Sequence, residues 1–152
     1  MIADLTEITR HLESCYPEEG CGLVFEEPDG TYRVHPMANV YDKYHSRDPA
    51  TYPRTNRTAY LFSPMEFHRL SQAADARQAR LSCIFHSHCD VGAYFSAEDQ
   101  AMAAPDGQPL LPDTAYLVVA IDQGRTARSA LFRWSGSDFV EAPLTSSLKT
   151  PV

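Results

Sequence analysis

The sequence predicts a mixed α/β (α+β) domain built on a single mixed, curved β-sheet flanked by helices. Three observations carry that prediction. Helical spacing and strand alternation take turns along the chain, in the order helix, hairpin, strand, helix, strand, helix, then strands. Explicit turn signals separate them: PDG at 28–30 and again at 105–107, QGR at 123–125 and SGS at 135–137. The length, 152 residues, fits one domain over 1–152, and a chain of that size buries roughly 70% of its unfolded surface.

The first helix is read over 4–15, where Leu5, Ile8, Leu12 and Cys15 or Tyr16 recur at helical spacing and Asp4 with Glu7 can cap the start. CGLVFEE (21–27), PDG and TYRVHPM (31–37) read as strand, turn and strand. Residues 38–57 show no clean period and contain two prolines, so a flexible loop is expected there. About twenty structureless residues inside a compact domain are uncommon and often functional. TAYLF (58–62) reads as another strand.

Ser63 is a candidate N-cap, Pro64 sits at the first helical position and Glu66 closes a capping box, with Phe67, Leu70 and Ala74 on one face of the helix that follows. LSCIFHSH (81–88) reads as a strand with Leu81, Cys83 and Phe85 on one face and Ser82, Ile84, His86 and His88 on the other. Ser96 opens a short helix that PDG (105–107) stops. TAYLVVAID, TARSALFRW and DFVEA then form a closing antiparallel meander over 114–142. The ordered core is expected over about 3–142, with a frayed tail over 143–152.

The formal net charge of −7 disfavours nucleic acid and anionic membrane as partners, but not a protein substrate. The N-terminus has an acid at position 4 and no apolar core, unlike a signal peptide. The apolar run YLVVAI (116–121) falls far short of the ~20 residues of a membrane helix. A cytoplasmic protein is expected. Cys15, Cys21, Cys83 and Cys89 form no C-x-x-C pair, so reduced thiols are the default.

The chemistry concentrates in FHSHCDVGAYFSAEDQ (85–100). Side chains two apart on a strand share a face, so His86 and His88 can share one ion at ~2.0–2.1 Å per nitrogen. A helix starting at Ser96 returns Asp99, in its first turn, toward the end of that strand. Two imidazoles and a carboxylate leave a fourth tetrahedral position open, as in a catalytic zinc site. Ser96 and Asp99 also make a plausible capping box, and the two roles are compatible.

H-x-H, seven residues, then S-x-x-D is the signature of the JAMM (MPN-type) metallopeptidases, and His86, His88, Ser96 and Asp99 match it without a gap. YPEEGCGLVF (16–25) resembles the family segment that carries one further glutamate. The order of elements to about residue 142 resembles the family throughout, and its small prokaryotic single-domain branch in particular. The resemblance implies an MPN architecture, akin to that of cytidine deaminases. It also implies one zinc ion per chain held by His86, His88 and Asp99. Glu19 would pass a proton from the attacking water to the leaving amine, and Ser96 would donate to the oxyanion. Glu18 competes for the role of Glu19, and alignment on Cys21-Gly22 favours Glu19. Cys21 and Gly22 themselves read as packing residues.

The implied activity is zinc-dependent hydrolysis of an amide or isopeptide bond at the C-terminal tail of a ubiquitin-like, sulfur-carrier-type protein. A catalytically silent scaffold that binds partners is the alternative, although such members usually lose ligands. A zinc deaminase would need H-x-E and Pro-Cys-x-x-Cys, and position 88 is His. A purely structural site would need a fourth protein ligand. Homodimerisation is left open. Where many relatives have proline after the second histidine this chain has Cys89, readable as a soft ligand, an oxidation-sensitive brake or a half-buried spacer. His11, His35, His45 and His68 have no matching partners. Finally, Lys43, Arg47, Arg54 and Arg57 outweigh Asp42 and Asp48, so the 38–57 loop is +2 and the rest of the chain −9. Either the loop is merely solvated, or its arginines grip substrate carboxylates or tail carbonyls.

Overall fold

The structure, a computed structural model, describes residues 4–144. The elements run α1 (Thr6–Cys15), β1 (Cys21–Glu26), β2 (Tyr32–Met37), α2 (Tyr41–Arg47), α3 (Pro64–Ala76), β3 (Arg80–Cys89), α4 (Ala97–Ala103), β4 (Ala115–Asp122), β5 (Arg125–Trp134) and β6 (Phe139–Ala142). One six-stranded sheet has the order β2-β1-β3-β4-β5-β6. The β3–β4 pair is parallel, and the other four are antiparallel. A parallel pair needs a crossover, and here the crossover carries α4.

Helices cover both faces of the sheet. On one, Ile8 and Leu12 of α1 pack with Val24, Cys83, Phe85, Leu117, Val119, Ile121 and Leu131. On the other, Leu70 and Ala74 of α3 and Ala103 of α4 join Leu23, Phe25, Ile84, Tyr116, Val118 and Phe132. That double cover explains β4, buried without alternation from Ala115 to Ile121. A strand with both faces covered reads as a continuous apolar run.

Three expectations change. TAYLF (58–62) joins no sheet: Thr58 closes a turn on Thr55, and 59–62 form no regular element. Its apolar run reflects burial, greatest at Ala59 and Tyr60, while the side chain of Asn39 takes up Ala59 C=O and Leu61 N–H. Residues 38–57 are not structureless: α2 occupies 41–47, and although its N-cap residue, Val40, makes no side-chain cap, Asn39 Oδ1 and Asn56 Oδ1 accept the Tyr41 and Asp42 N–H groups. Tyr41 and Tyr44 close on Tyr52, at ring-centroid distances of 5.9 and 5.1 Å, and order the segment. Leu81 does not share a face with Cys83 and Phe85. The β1–β3 register shifts so that Val24 faces Cys83 and Phe25 faces Leu81. This bulge returns Leu81 to the cluster of Ile84 and Phe25.

Ser63 does cap α3, its Oγ accepting the Glu66 N–H at 3.3 Å. Most of the tail expected to fray (145–152) lies outside the described residues. Among the described residues no helix is long and apolar enough to cross a membrane.

Candidate metal centre

His86 and His88 lie on one face of β3, next to its parallel neighbour, opposite Val118 and Ala120 of β4. On the other flank, β1 pairs Cys21 with His86. The chain just before Cys21 is therefore carried past the exit of β3. Gly20 fixes it there: its N–H donates to Ser87 Oγ at 2.8 Å, and its carbonyl accepts the Ser87 N–H at 3.0 Å. Glu19 is thereby turned inward and buried, while Glu18 is exposed. The tight strand packing expected of Gly22 is evident. A Cβ there would meet Phe85 Cζ at 2.1 Å and the His35 carbonyl at 2.6 Å.

The third strand-side partner arrives on α4. Ser96 Oγ accepts the Asp99 N–H at 3.0 Å, and Asp99 Oδ2 accepts the Ser96 N–H at 2.9 Å, a complete capping box. The same carboxylate faces the histidines. Asp99 Oδ1 lies 3.2 Å from His86 Nε2, and Oδ2 lies 3.3 Å from His88 Nε2. The two Nε2 atoms are 3.2 Å apart.

Glu19, His86 and His88 form a buried group that can hold a metal ion, their ligand atoms all within 4.8 Å of one another. Two carboxylates thus address one pair of imidazoles. Asp99 completes a triangle of groups with the two imidazoles, one oxygen on each: Oδ1 faces His86 and Oδ2 faces His88. A tetrahedral ion with bonds of ~2.0–2.1 Å sets its donors about 3.3–3.4 Å apart, near the separation of the two Nε2 atoms and that of each Nε2 from its own Asp99 oxygen. The tautomer agrees, as inferred from His88 Nδ1, which is 3.1 Å from the Gly92 carbonyl. With the proton on Nδ1, Nε2 keeps its lone pair toward the triangle. The His86 Nδ1 atom is buried with no hydrogen-bond partner among the described residues, and the Tyr60 ring stacks on that imidazole at 4.3 Å. Nitrogen and carboxylate oxygen donors are the set that borderline divalent ions take.

The two carboxyls are driven apart electrostatically. Burial raises Glu19, the charges of Asp99 and Glu98 raise it further and Arg54 opposes them, leaving it pushed up to about 9. Burial acts the same way on Asp99. There the His86 charge, hydrogen bonds to His86 and His88 and the Ser96 N–H win, holding it well below the usual carboxylate range. Burial also lowers His86 against the pull of Asp99, which favours the neutral imidazole. Without a metal ion the centre therefore favours an ionised Asp99 and a protonated Glu19, and a cation held at the histidines would draw Glu19 back toward its carboxylate form.

A cleft of about 330 Å³ opens over this group, lined among others by Glu19, His88, Ser96 and Asp99. Arg54 and Arg57 line it as well, and Arg54 is ion-paired with Glu98; Arg47 is not among the lining residues. Cys89 also borders the cleft but stays outside the metal-competent group. Its thiol is pushed up to about 11, first by burial and then by Glu19 and Asp90. A protonated thiol is a poor ligand and slow to oxidise, so the spacer reading fits best. His11, His35, His45 and His68 stay outside the group too. Sequence reasoning missed Tyr60 and Glu98, and it missed Asn39 and Asn56, whose side chains reach across the segments around the site.

Fold and site together define a mixed-sheet α+β domain with a buried histidine–carboxylate group that can hold a metal ion. The family model of the prokaryotic homologs of the JAB domain matches residues 3–134, and the chain belongs to that family. Among solved structures it is similar to the solution structure of a Desulfitobacterium hafniense protein. The identity is 21% and the TM-score 0.65, over 91% of this chain and 84% of that one. It is also similar to a Salinibacter ruber protein at 22% identity and a TM-score of 0.58, over 94% of this chain and 89% of that one. At these identities the likeness shows the fold. No curated protein matches the chain.

Proposed function

We propose that this chain is a zinc-dependent metallopeptidase that hydrolyses an amide bond at the C-terminal tail of a ubiquitin-like protein of the sulfur-carrier type. One observation carries the reading. His86, His88 and Asp99 are grouped at the spacing of donors around a tetrahedral ion, one Asp99 oxygen facing each imidazole, and a second buried carboxyl, Glu19, lines the same cleft. His86, His88 and Asp99 would hold the ion, one per chain. Zinc bound there supplies a Lewis acid for the substrate carbonyl and acidifies water.

The chain's own residues do the rest. Glu19 takes the proton of the attacking water and returns it to the departing amine, as the C–N bond breaks and the new C–O bond remains in the acid product. The charge of a bound cation would offset the burial that raises Glu19, leaving a carboxylate able to take the first proton. Ser96 Oγ already accepts the Asp99 N–H, so its own hydrogen is left to donate to the oxyanion. Tyr60, stacked on His86 at the cleft wall, keeps water off that imidazole. The choice of a sulfur-carrier tail rests on the family resemblance. The silent-scaffold alternative gains no support from a site in which none of the motif residues is missing.

Mass spectrometry tests the reading on a sulfur-carrier protein of ubiquitin-like fold, extended by a short peptide beyond its C-terminal glycine. The zinc-loaded chain should release the extension, a chelator should stop it, and added zinc should restore it. A fusion left intact by zinc-loaded protein would contradict the proposed substrate.

A further inference from the structure

We propose that Asn39, backed by Asn56, is the positioning residue of this site: its side-chain amide sets Glu19 against the histidines. The inference rests on the reading of Glu19 as the proton carrier. Glu19 sits in the irregular segment between α1 and β1, where no ladder fixes the backbone. Its main chain is held from one side instead. The Glu19 N–H donates to the Asn56 carbonyl at 2.7 Å, and the Glu19 carbonyl accepts from Asn39 Nδ2 at 2.9 Å.

The same amide spans the cleft wall. Asn39 Nδ2 donates to the Ala59 carbonyl at 2.9 Å, and Oδ1 accepts the Leu61 N–H at 3.1 Å. A side chain thus stands where a neighbouring strand's peptide group would stand. Between those two anchor points lies Tyr60, the ring stacked on His86. One amide therefore ties the backbone of the proton carrier to the strap that covers a histidine.

Asn56 makes the amide rigid. Its Nδ2 donates to the Asn39 carbonyl at 3.1 Å, and its Oδ1 accepts the Asp42 N–H at 2.9 Å. Asp42 Oδ1 in turn accepts the Asn56 N–H at 2.8 Å. Asn56 is buried, and a polar network buried with its groups satisfied fixes one arrangement. An amide needed only for folding has no reason to bridge the two sides of the reactive group.

Asn39→Asp tests this on the zinc-loaded full chain, with the peptide-extended sulfur carrier as probe. The change keeps the acceptor for Leu61 and Tyr41 but turns an oxygen toward two carbonyls. Zinc content should stay at one per chain and KM within about twofold, while kcat falls about 10- to 100-fold, the cost of a small displacement near the chemistry. Asn39→Ala should lose kcat in the same way. Unchanged kcat in both variants, with Glu19→Gln inactive, would overturn the inference and leave the proposed function standing. A fully active Glu19→Gln would instead remove the reading of Glu19, and this inference with it. Should the Asn39 variants fail to fold, amide hydrogen exchange on the unaltered chain decides. Glu19 and Leu61 N–H should be protected and open together. Exchange of Leu61 at the rate of an open loop would overturn the proposal.

Discussion

Ser96 combines two jobs that substitution can separate. Its Oγ accepts the Asp99 N–H at 3.0 Å, the cap that starts α4, and its hydrogen is free for the oxyanion. Removing an N-cap serine to alanine costs ~1 kcal/mol, whereas glycine costs only a few tenths, because it lets water reach the freed N–H. At this chain length ~1 kcal/mol corresponds to a Tm shift of about 2–4 °C. Removing one oxyanion donor lowers kcat about 10²–10³-fold whichever residue replaces it. In both variants Asp99 Oδ2 can still accept the backbone N–H of residue 96, so the carboxylate stays oriented. Calorimetry and steady-state cleavage of the extended sulfur carrier should therefore disagree in a defined way. Ser96→Ala should lose both stability and turnover, and Ser96→Gly should lose turnover alone. A Ser96→Gly enzyme with near-normal kcat would show that the serine is only a cap.

Three further outcomes follow from the same geometry. Glu19→Gln should abolish turnover with metal content unchanged, while the exposed Glu18→Gln stays active, and exchanged phenotypes would place the proton carrier one residue earlier. In metal-free protein Glu19 is raised from its ordinary 4.5 to about 9, so its native form binds the extra proton and the fold loses stability as pH rises through that window. Metal-free Glu19→Gln should accordingly melt above metal-free wild type at pH 8, with the gap closing toward pH 5; a gap independent of pH would refute the shift. Of the loop arginines only Arg54 and Arg57 line the cleft, so neutralising both should raise KM more than it lowers kcat and flatten the salt dependence of kcat/KM. Unchanged KM and salt response would return them to the solvated surface.

What the sequence revealed, and what it hid, divides along a physical line. His86, His88, Ser96 and Asp99 could be read because a strand of period two and a helix start at a fixed offset place them with no knowledge of the rest of the fold. Glu19 needed a motif to choose it over Glu18, since long-range contacts, the pairing of β1 with β3 and the bonds to Asn39 and Asn56, decide which acid turns inward. TAYLF misled because a short apolar run reports burial, and burial here comes from lying beside the site without joining the sheet. Helix α2 was hidden because it is seven residues long and its N-cap residue, Val40, carries no capping side chain. The Leu81 bulge and the Asn39–Asn56 network are long-range pairings, and nothing local in the sequence announces either.

The central claim is that His86, His88 and Asp99 hold one metal ion per chain. Elemental analysis of protein purified without chelator, alongside His86→Ala, His88→Ala and Asp99→Asn, tests it most directly. One zinc per chain is expected in the unaltered protein, with loss of the ion in both histidine variants and weakened retention in Asp99→Asn, because a neutral amide is a poorer ligand. Absence of stoichiometric metal from the unaltered protein, or full retention in the histidine variants, would contradict it.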